Sequence, residues 1–484
     1  MASGEEKGQE SSVVAVAAAV QNAPLLVLGS IAWWAIHYSL LWDACIAETY
    51  SAEGIHDIRF IVTVAATVVV LGSLTLISRR HPTLVYANHA ITYAVFGACL
   101  VASFFLMGVP VLTGENITLG IVGAVLSGVG SSVVIVVYGE LHARMGCSIE
   151  PAIFAVEVLG GIAMYLALLL IPFAAHLVIN ALLSVILAVF FFRYSQSDSS
   201  SEGLAGLRNA RRVDVTVNQV VGVAVLTGFA YGLIRLYASN GMDETSVQFS
   251  MYSECLGSCF GALLLFGVFA FGRRQSLLEQ CLLFVVPMVA TGMLFVSLQA
   301  MGTFAPTAIG TGGFACFFNM MWYFAAVLAS PGSKHCLSFS VSLLFFSSQL
   351  GQLVGVLVPA QFANLFSTGL MYLLFLVTIL FMYLRARANQ DSALEEPKNE
   401  LMNQSPDHDL EMQKERWQSE LGLSPRELEV ALLLVQRVPY RQIAEQLYVS
   451  ENTVKTHARN IYKKAGVSSR EELLDTLEAL AKKV

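Results

Sequence analysis

Apolar runs of about twenty residues recur along most of this chain, and nothing constrains its fold more. They lie near residues 24–43, 59–78, 86–107, 117–138, 151–172, 174–194, 216–236, 250–271, 277–298, 310–329, 337–358 and 368–384. A helix needs about 20 apolar residues to cross the roughly 30 Å hydrocarbon core of a bilayer. Inside lipid every backbone amide must be satisfied within the protein, which leaves helices or closed barrels. Unbroken runs of this length predict helices, so the expectation is an all-α, twelve-helix transmembrane bundle over residues 24–384.

Loop charge supports that count. Cytoplasmic loops collect Lys and Arg. With the N-terminal tail (1–23) placed inside, the inner loops hold Arg79 and Arg80, Arg144, then Arg193, Arg208, Arg211 and Arg212, then Arg273 and Arg274, Lys334, and Arg385 and Arg387. The outer loops read DACIAETYSAEGIHD, MGVPVLTGEN, ASNGMDETS and AQFANLFSTG. The alternation never inverts, which predicts a multi-pass protein of the inner (cytoplasmic) membrane with both termini cytoplasmic. The opening MASGEEKGQESS lacks the basic n-region of a signal peptide, so the first span is expected to stay in the protein.

Composition changes abruptly at about residue 384. The whole chain of 484 residues is 56% hydrophobic and only 13% charged, where soluble domains carry roughly a quarter charged residues. The last hundred residues are as polar as a soluble protein. The net charge of −7 does not advertise nucleic-acid binding, but the local field decides that for a short module. Most of the eight cysteines sit in apolar runs, where a thiol behaves as a small hydrophobe. Cys255 and Cys259 lack the further ligands of a metal site.

The longest internal loop, SQSDSSSEGLAGLRNARR, separates spans six and seven and reads as a flexible cytoplasmic connection. Two blocks of six helices around such a loop resemble the major facilitator superfamily of transporters over about residues 15–384. That superfamily has a Gly–Asp–Arg–Gly–Arg type sequence between spans two and three. Here the loop is SRRHPT, and its second-half counterpart is FGRRQS. Both departures weigh against active transport and leave the fold as the expectation.

Residues 385–421 are acidic and polar with two prolines, and read as a cytoplasmic linker. A flexible stretch of some 35 residues spans on average about 30–35 Å. Beyond it, Ser424-Pro425-Arg426-Glu427 combines a capping serine, a proline at the first helical position and a capping-box glutamate. A helix to about Gln436 is expected, with Leu428, Ala431 and Val435 on its apolar stripe. A second helix from Tyr440 to Leu447 buries Ile443, Ala444 and Leu447. Tyr448-Val449 turns the chain, Ser450 caps a third helix, and Gly466 ends it in the left-handed conformation. Ser468 or Ser469 caps a fourth through Leu473, Leu474 and Leu477. A short helix, a tight turn and a capped helix with one basic face is the helix-turn-helix layout. Val454, Ile461 and Tyr462 recur on the inward face, leaving Lys455, Thr456, Arg459 and Lys463 outward.

Residue by residue the module resembles the LuxR-type (NarL/FixJ-like) helix-turn-helix family. The matching positions are Leu423-Ser424-x-Arg426-Glu427-x-Glu429-Val430, Ile443-Ala444-x-x-Leu447, Ser450-x-x-Thr453-Val454-Lys455-x-His457, Asn460-Ile461-Tyr462-x-Lys464, Gly466-Val467 and Ser469-Arg470-x-x-Leu473. Arg437 and Pro439 depart from the usual Gly-containing turn. The whole chain is thus expected to be all-α, the twelve-helix transmembrane bundle (6+6) read from the apolar runs being followed by a four-helix LuxR-type domain at 422–484 that the resemblance implies. The resemblance implies base reading by Lys455, Thr456 and Arg459. It also implies phosphate contacts by Thr453, Asn460, Lys463 and Arg441, and a homodimer through the fourth helix at residues such as Leu474. Lys and Arg donate to guanine acceptors, and a Thr methyl suits thymine.

Ionisable groups inside spans are candidates for function. Glu157, Arg235, Glu254 and His37 are the candidate ligand residues. Arg235 and Glu254 lie at similar depths, where they would pair. Asp43 also falls on the first span. Trp33 and Trp34 read as packing or an interfacial belt. No nucleotide loop, metal constellation or nucleophile–base motif is present, so neither a cofactor nor enzymatic activity is expected. The expected partners are double-stranded DNA, the lipid bilayer, a second copy of the chain and an unidentified small-molecule ligand. The sequence reading is therefore a membrane-bound transcriptional regulator. The competing reading is a major-facilitator-like transporter with a regulatory DNA-binding appendage.

Overall fold

The computed structural model describes residues 20–42, 58–114, 117–145, 151–197, 217–240, 244–271, 277–298, 304–329, 335–359 and 361–376. Residue 379 and, with scattered gaps, 417–476 are also described. The described residues are helical, with no strand among them. Contacts divide the chain into two compact units, 1–380 and 381–484.

In the first unit the helices are α1 (Pro24–Trp42), α2 (Ile58–Arg80), α3 (Ala90–Thr113), α4 (Ile117–Ala143), α5 (Pro151–Leu168) and α6 (Phe173–Ser195). Then follow α7 (Val217–Asn240), α8 (Glu244–Phe271), α9 (Leu277–Leu298), α10 (Phe304–Leu328) and α11 (Leu337–Val356), and α12 (Gln361–Leu376). Eight of the described helices (α1–α4, α6, α7, α10 and α11) are long and apolar enough to cross a membrane by length and composition. The described apolar stretches of α5, α8, α9 and α12 are shorter.

The two halves repeat one packing scheme. In the first half α1 packs on α5, α2 on α4 and α3 on α4. In the second, α7 packs on α11, α8 on α10 and α9 on α10. The halves meet where α2 lies on α11 and α5 on α8. The approach of α7 to α11 depends on glycine. A Cβ on Gly228 would fall 2.1 Å from the Ser348 carbonyl oxygen, and one on Gly351 would fall 2.2 Å from that of Val225. Small residues let helix backbones touch in this way, which is how helices associate where lipid offers no hydrophobic drive. Leu170, Ile91, Val69 and Leu365 project outward from the unit, as lipid-facing side chains do.

Two span limits differ from those read in the sequence. The stretch MGVPVLTGEN was expected as an outer loop, yet α3 runs through Pro110 to Thr113 before Gly114, at φ 70°, ends it by donating to the Pro110 carbonyl. A proline inside a membrane helix is tolerated when neighbouring groups re-satisfy the backbone. The last span was placed at 368–384, but α12 begins at Gln361, inside the AQFANLFSTG segment taken for a loop. Ser367 donates its hydroxyl back to the Asn364 carbonyl. Arg144, expected as a solvated loop cation, is buried. It donates to the Asn88 side chain and to the Ser195 carbonyl. Arg208, Arg211, Arg212, Arg273, Arg274, Lys334, Arg385 and Arg387 lie outside the described residues, as does Asp43.

The second unit contains α13 (Pro425–Val435), α14 (Tyr440–Gln446) and α15 (Glu451–Ala465). Its core joins Leu423, Val430, Ala431, Leu434, Ile443, Ala444, Val454, Ala458, Ile461 and Leu473. Trp417, assigned to the linker from sequence, is 4% exposed and belongs to this core. The packed region therefore starts before residue 422. Tyr448, Ser468, Leu474 and Leu477 lie outside the described residues.

Candidate functional site

The third helix of the C-terminal unit is held at both ends by its own sequence. Ser450 is its N-cap, accepting from the Thr453 amide at 3.1 Å. Gly466, at φ 68°, is its C-cap, and the Val467 amide reaches back to the Tyr462 carbonyl at 3.0 Å. Val454, Ala458 and Ile461 recur at four- and three-residue spacing and are buried. The opposite faces carry Lys455, Thr456, Arg459, Asn460 and Lys463, all exposed. The other two predicted contacts, Thr453 and Arg441, are exposed as well, the latter on α14. All seven residues predicted to meet DNA thus belong to α14 and α15 and point away from the core.

Some of these side chains already have partners. Lys455 Nζ lies 2.7 Å from Glu451 Oε1, one turn back, and the lysine holds the Glu451 carboxyl below its ordinary range. Both are about half exposed, and a solvent-screened surface pair of this kind adds little to stability. Lys455 is therefore only loosely engaged by its neighbour. The Thr456 hydroxyl donates to the Asn452 carbonyl at 2.9 Å, and its oxygen can still accept.

The scaffold of this face rests on residues whose tertiary role the sequence did not disclose. Glu427 completes the expected capping box, accepting from the Ser424 amide at 2.8 Å, while the Glu427 amide donates to the Ser424 hydroxyl. It also receives Lys464 Nζ at 2.7 Å, and Lys464 donates as well to the Gly422 carbonyl at 2.8 Å. The Lys464 hydrogen bond, against the opposing effect of burial, lowers the Glu427 carboxyl to about 2. One carboxylate thereby ties the start of α13 to the end of α15. Arg426 caps the end of α14 through the Leu447 carbonyl, and Arg470 satisfies the Leu434 and Val438 carbonyls. Only the capping-box spacing signalled any of this in advance.

A capped basic helix, presented by two supporting helices on a closed apolar core, defines a DNA-binding helix-turn-helix module. Residues 421–477 match the sequence profile of the bacterial regulatory proteins of the luxR family. The spore germination protein GerE of Bacillus subtilis (strain 168) is 41% identical over 61 residues, which are 13% of this chain and 82% of that protein. Through this domain the chain belongs to the luxR family of bacterial regulatory proteins.

In the membrane unit, the structure divides the four predicted ligand residues. Glu157 is fully buried and accepts from the Tyr138 hydroxyl, with His142 Nε2 at 3.0 Å from its other oxygen. Arg235 and Glu254 form an ion pair, completed by the Tyr231 hydroxyl at 3.0 Å from Glu254, and the guanidinium lies 4.5 Å from the centre of the Phe60 ring. These three groups are thus held by protein partners and do not line the cavity between the two halves of the unit. His37 does line it, together with Trp34. Trp33 and Trp34, read as packing or an interfacial belt, are both buried. The cavity has about 700 Å³ of free space, its mouth included, and is walled by α1, α2, α4, α7, α8, α10 and α11.

A further buried carboxylate escaped the sequence reading. Glu140 accepts from the Tyr86 and Ala87 amides at 3.2 and 2.7 Å, and from the Ser338 hydroxyl at 2.6 Å. It joins the turn before α3 to the first residues of α11, across the two halves. Its position at the end of an apolar run gave no hint of a partner 198 residues away.

In fold, this unit resembles the crystal structure of a bacterial homologue of the iron transporter ferroportin in its outward-facing state. Identity is 12% and the TM-score 0.51, over 75% of this chain and 99% of that one. The major facilitator superfamily proton:xylose symporter XylE superposes with 13% identity and a TM-score of 0.49, over 75% and 95%. The fold assignment rests on the first. The chain is thus a multi-pass membrane protein of transporter-like fold that carries a luxR-family DNA-binding domain.

Proposed function

We propose that this chain is a membrane-bound transcriptional regulator, in which the bundle receives a small-molecule signal and the tethered domain binds promoter DNA. The outward row of Lys455, Thr456, Arg459 and Lys463 on a doubly capped helix carries the reading. In the major groove, Lys455, Thr456 and Arg459 meet base edges, while Thr453, Asn460, Lys463 and Arg441 fix the phosphates. The operator is met as a homodimer through the fourth helix, at residues such as Leu474. The membrane domain spans about 24–384 and the linker follows it. Arg79, Arg80 and Arg193 close the C-terminal ends of α2 and α6. That basic asymmetry supports cytoplasmic termini and residence in the inner membrane, with the DNA-binding domain on the side where the genome lies.

The test is a mobility-shift series with the fragment 410–484 on DNA from upstream of its own gene and its neighbours, repeated with the full chain in nanodiscs. The fragment is a fair probe because its core closes on itself. The reading predicts that Lys455→Ala and Arg459→Ala each weaken specific binding; unchanged binding in both would overturn the site assignment. The fold shared with a transporter homologue favours a second reading, in which the bundle moves a substrate and the DNA-binding domain adjusts its synthesis. Coupled flux in proteoliposomes supports that reading, while ligand binding without flux supports the sensor.

A further inference from the structure

We propose that the cavity between the two halves of the membrane unit binds an uncharged small molecule. The ligand would have a flat apolar face and at least two hydrogen-bond donors. The inference rests on the reading that the bundle receives a small molecule, and it is independent of the DNA-binding half of that reading.

The first support is the wall. Among the described residues no Asp, Glu, Lys or Arg lines the cavity. The nearby buried charges are matched within the protein, Glu254 by Arg235 and Tyr231, and Glu157 hydrogen-bonded by Tyr138 and His142. A charged ligand would lose its hydration there and find no counter-ion, which is strongly unfavourable. His37 is, among the described residues, the only His, Cys, Asp or Glu in the lining. Among the described residues no group of three or more such side chains gathers anywhere. The donor set of a metal cargo is therefore not provided by these residues, although the fold is shared with an iron-transporter homologue.

The second support is a set of polar atoms without partners. Thr311, Asn319 and Gln352 all line the cavity and are 1%, 1% and 4% exposed. Thr311 Oγ1, Asn319 Oδ1 and Gln352 Oε1 have no hydrogen-bond partner. The orientation of Asn319 is fixed, because Nδ2 donates to the Ala315 carbonyl at 2.8 Å, and a carbonyl accepts only from the nitrogen. The amide oxygen therefore faces away from its own helix. Buried polar atoms are nearly always paired, and an exception calls for an explanation. Two amide acceptors and a hydroxyl beside one cavity are explained by a ligand that donates to them.

The third support is the aromatic surface. Phe314 stacks on Tyr231 with ring centres 4.2 Å apart and planes 9° apart. Trp34 meets Phe318 and Trp322 edge to face. Trp34, Phe314, Phe318 and Tyr231 all line the cavity. Fixed rings of this kind offer a slot for a planar group, while a few placed polar atoms set its orientation.

The experiment uses the full chain in nanodiscs and three probes matched in size: 4-hydroxybenzamide, 4-hydroxybenzoate and p-xylene. Binding is read by calorimetry and by thermal unfolding, at concentrations up to about 10 mM, where weak but specific ligands still register. The expected order is the neutral amide first, with the anion and the hydrocarbon each at least about tenfold weaker. Asn319→Leu and Gln352→Leu should each weaken the amide about tenfold and leave p-xylene unchanged. Gln352→Leu should not lower the melting temperature of the ligand-free protein, because the oxygen it removes had no partner, whereas Asn319→Leu also loses the Nδ2 hydrogen bond to the Ala315 carbonyl and is read against its own ligand-free melting temperature. Equal binding of amide and anion overturns the proposal, as does amide binding that survives both substitutions. Absence of amide binding to the unmodified chain overturns it too. If one variant fails to fold, the other and the three-probe comparison still decide.

Discussion

The two parts of this molecule write their structures into sequence in different ways. In the C-terminal domain about sixty residues suffice, because each conspicuous residue has one local task. Ser450 caps, Gly466 turns, Val454 and Ile461 face inward, and Lys455 and Arg459 face outward. The contrast between wet and dry faces is what makes the pattern readable. In the membrane unit both surroundings of a helix are apolar, so the same contrast vanishes. Leu170 is 87% exposed and Leu26 fully buried, yet the two leucines look alike in sequence. Among the described residues of the C-terminal unit no large hydrophobic residue is exposed.

That difference decides what was legible. The order and approximate limits of the helices followed from run length, since a bilayer fixes the length a helix needs. The Arg235–Glu254 pair followed from depth, because two opposite charges in adjacent spans have few other solutions. The rest depends on register between helices distant in the chain. Glu140 meets Ser338, and Trp322 donates to the Ile135 carbonyl from 187 residues away. Asn319 and Gln352 carry no charge, so nothing in an apolar span marks them out as charge marks the ionisable residues there. An uncharged amide inside lipid is as informative when its partner is missing. In the C-terminal domain, Lys464 was legible as a member of a motif but not as the partner of Glu427.

The comparison breaks most sharply at the buried ion pair. Arg235→Ala leaves Glu254, which is fully buried, without its cation. Breaking such a pair costs about 3–5 kcal/mol. The double variant Arg235→Met with Glu254→Leu should recover most of that loss, because replacing both partners with apolar groups is often neutral. Thermal unfolding in nanodiscs checks both. If the double variant is no better than the single, the pair has a role beyond balancing charge.

Next in size is the recognition face. Arg459→Ala should weaken specific DNA binding by roughly 10- to 100-fold, corresponding to about 1–3 kcal/mol for a base contact. Lys463→Ala should weaken all sequences alike and lower the salt dependence by about one unit of slope. Neither change should move the melting temperature of fragment 410–484, because both side chains are exposed. A stability loss in either would show that the outward face also supports the domain.

Glu427→Gln tests the scaffold instead. The carboxylate is nearly buried and lowered to about 2 by Lys464, with the Ser424 amide and hydroxyl assisting. A carboxyl depressed in the folded state stabilises above its unfolded value, and that stabilisation fades as pH falls towards the folded value. The window here runs from about pH 4.5 down to about 2. Allowing for solvent screening, the substitution should cost about 1–2 kcal/mol at neutral pH. The cost should shrink through that window, so that variant and parent converge in acid. A pH-independent difference would assign the loss to packing rather than to charge.

The smallest effect tests whether local signals in the C-terminal domain act locally. Ser450 accepts the Thr453 amide and also contacts the Thr453 hydroxyl at 2.7 Å. Removing a capping hydroxyl costs about 1 kcal/mol, whereas glycine at the same position costs only a few tenths. Ser450→Ala should therefore destabilise fragment 410–484 more than Ser450→Gly, read from urea unfolding midpoints. Thr453 is also a proposed phosphate contact, and its hydroxyl is freed when Ser450 loses its own. If the cap only holds the helix, both variants should bind DNA as tightly as the parent once measured well below their melting temperatures. If Ser450 also orients Thr453 towards the backbone of the DNA, both should bind more weakly despite their unequal stabilities. The second outcome would make one residue both a folding signal and part of the interface, a doubling that the apolar spans of the membrane unit have no means to encode.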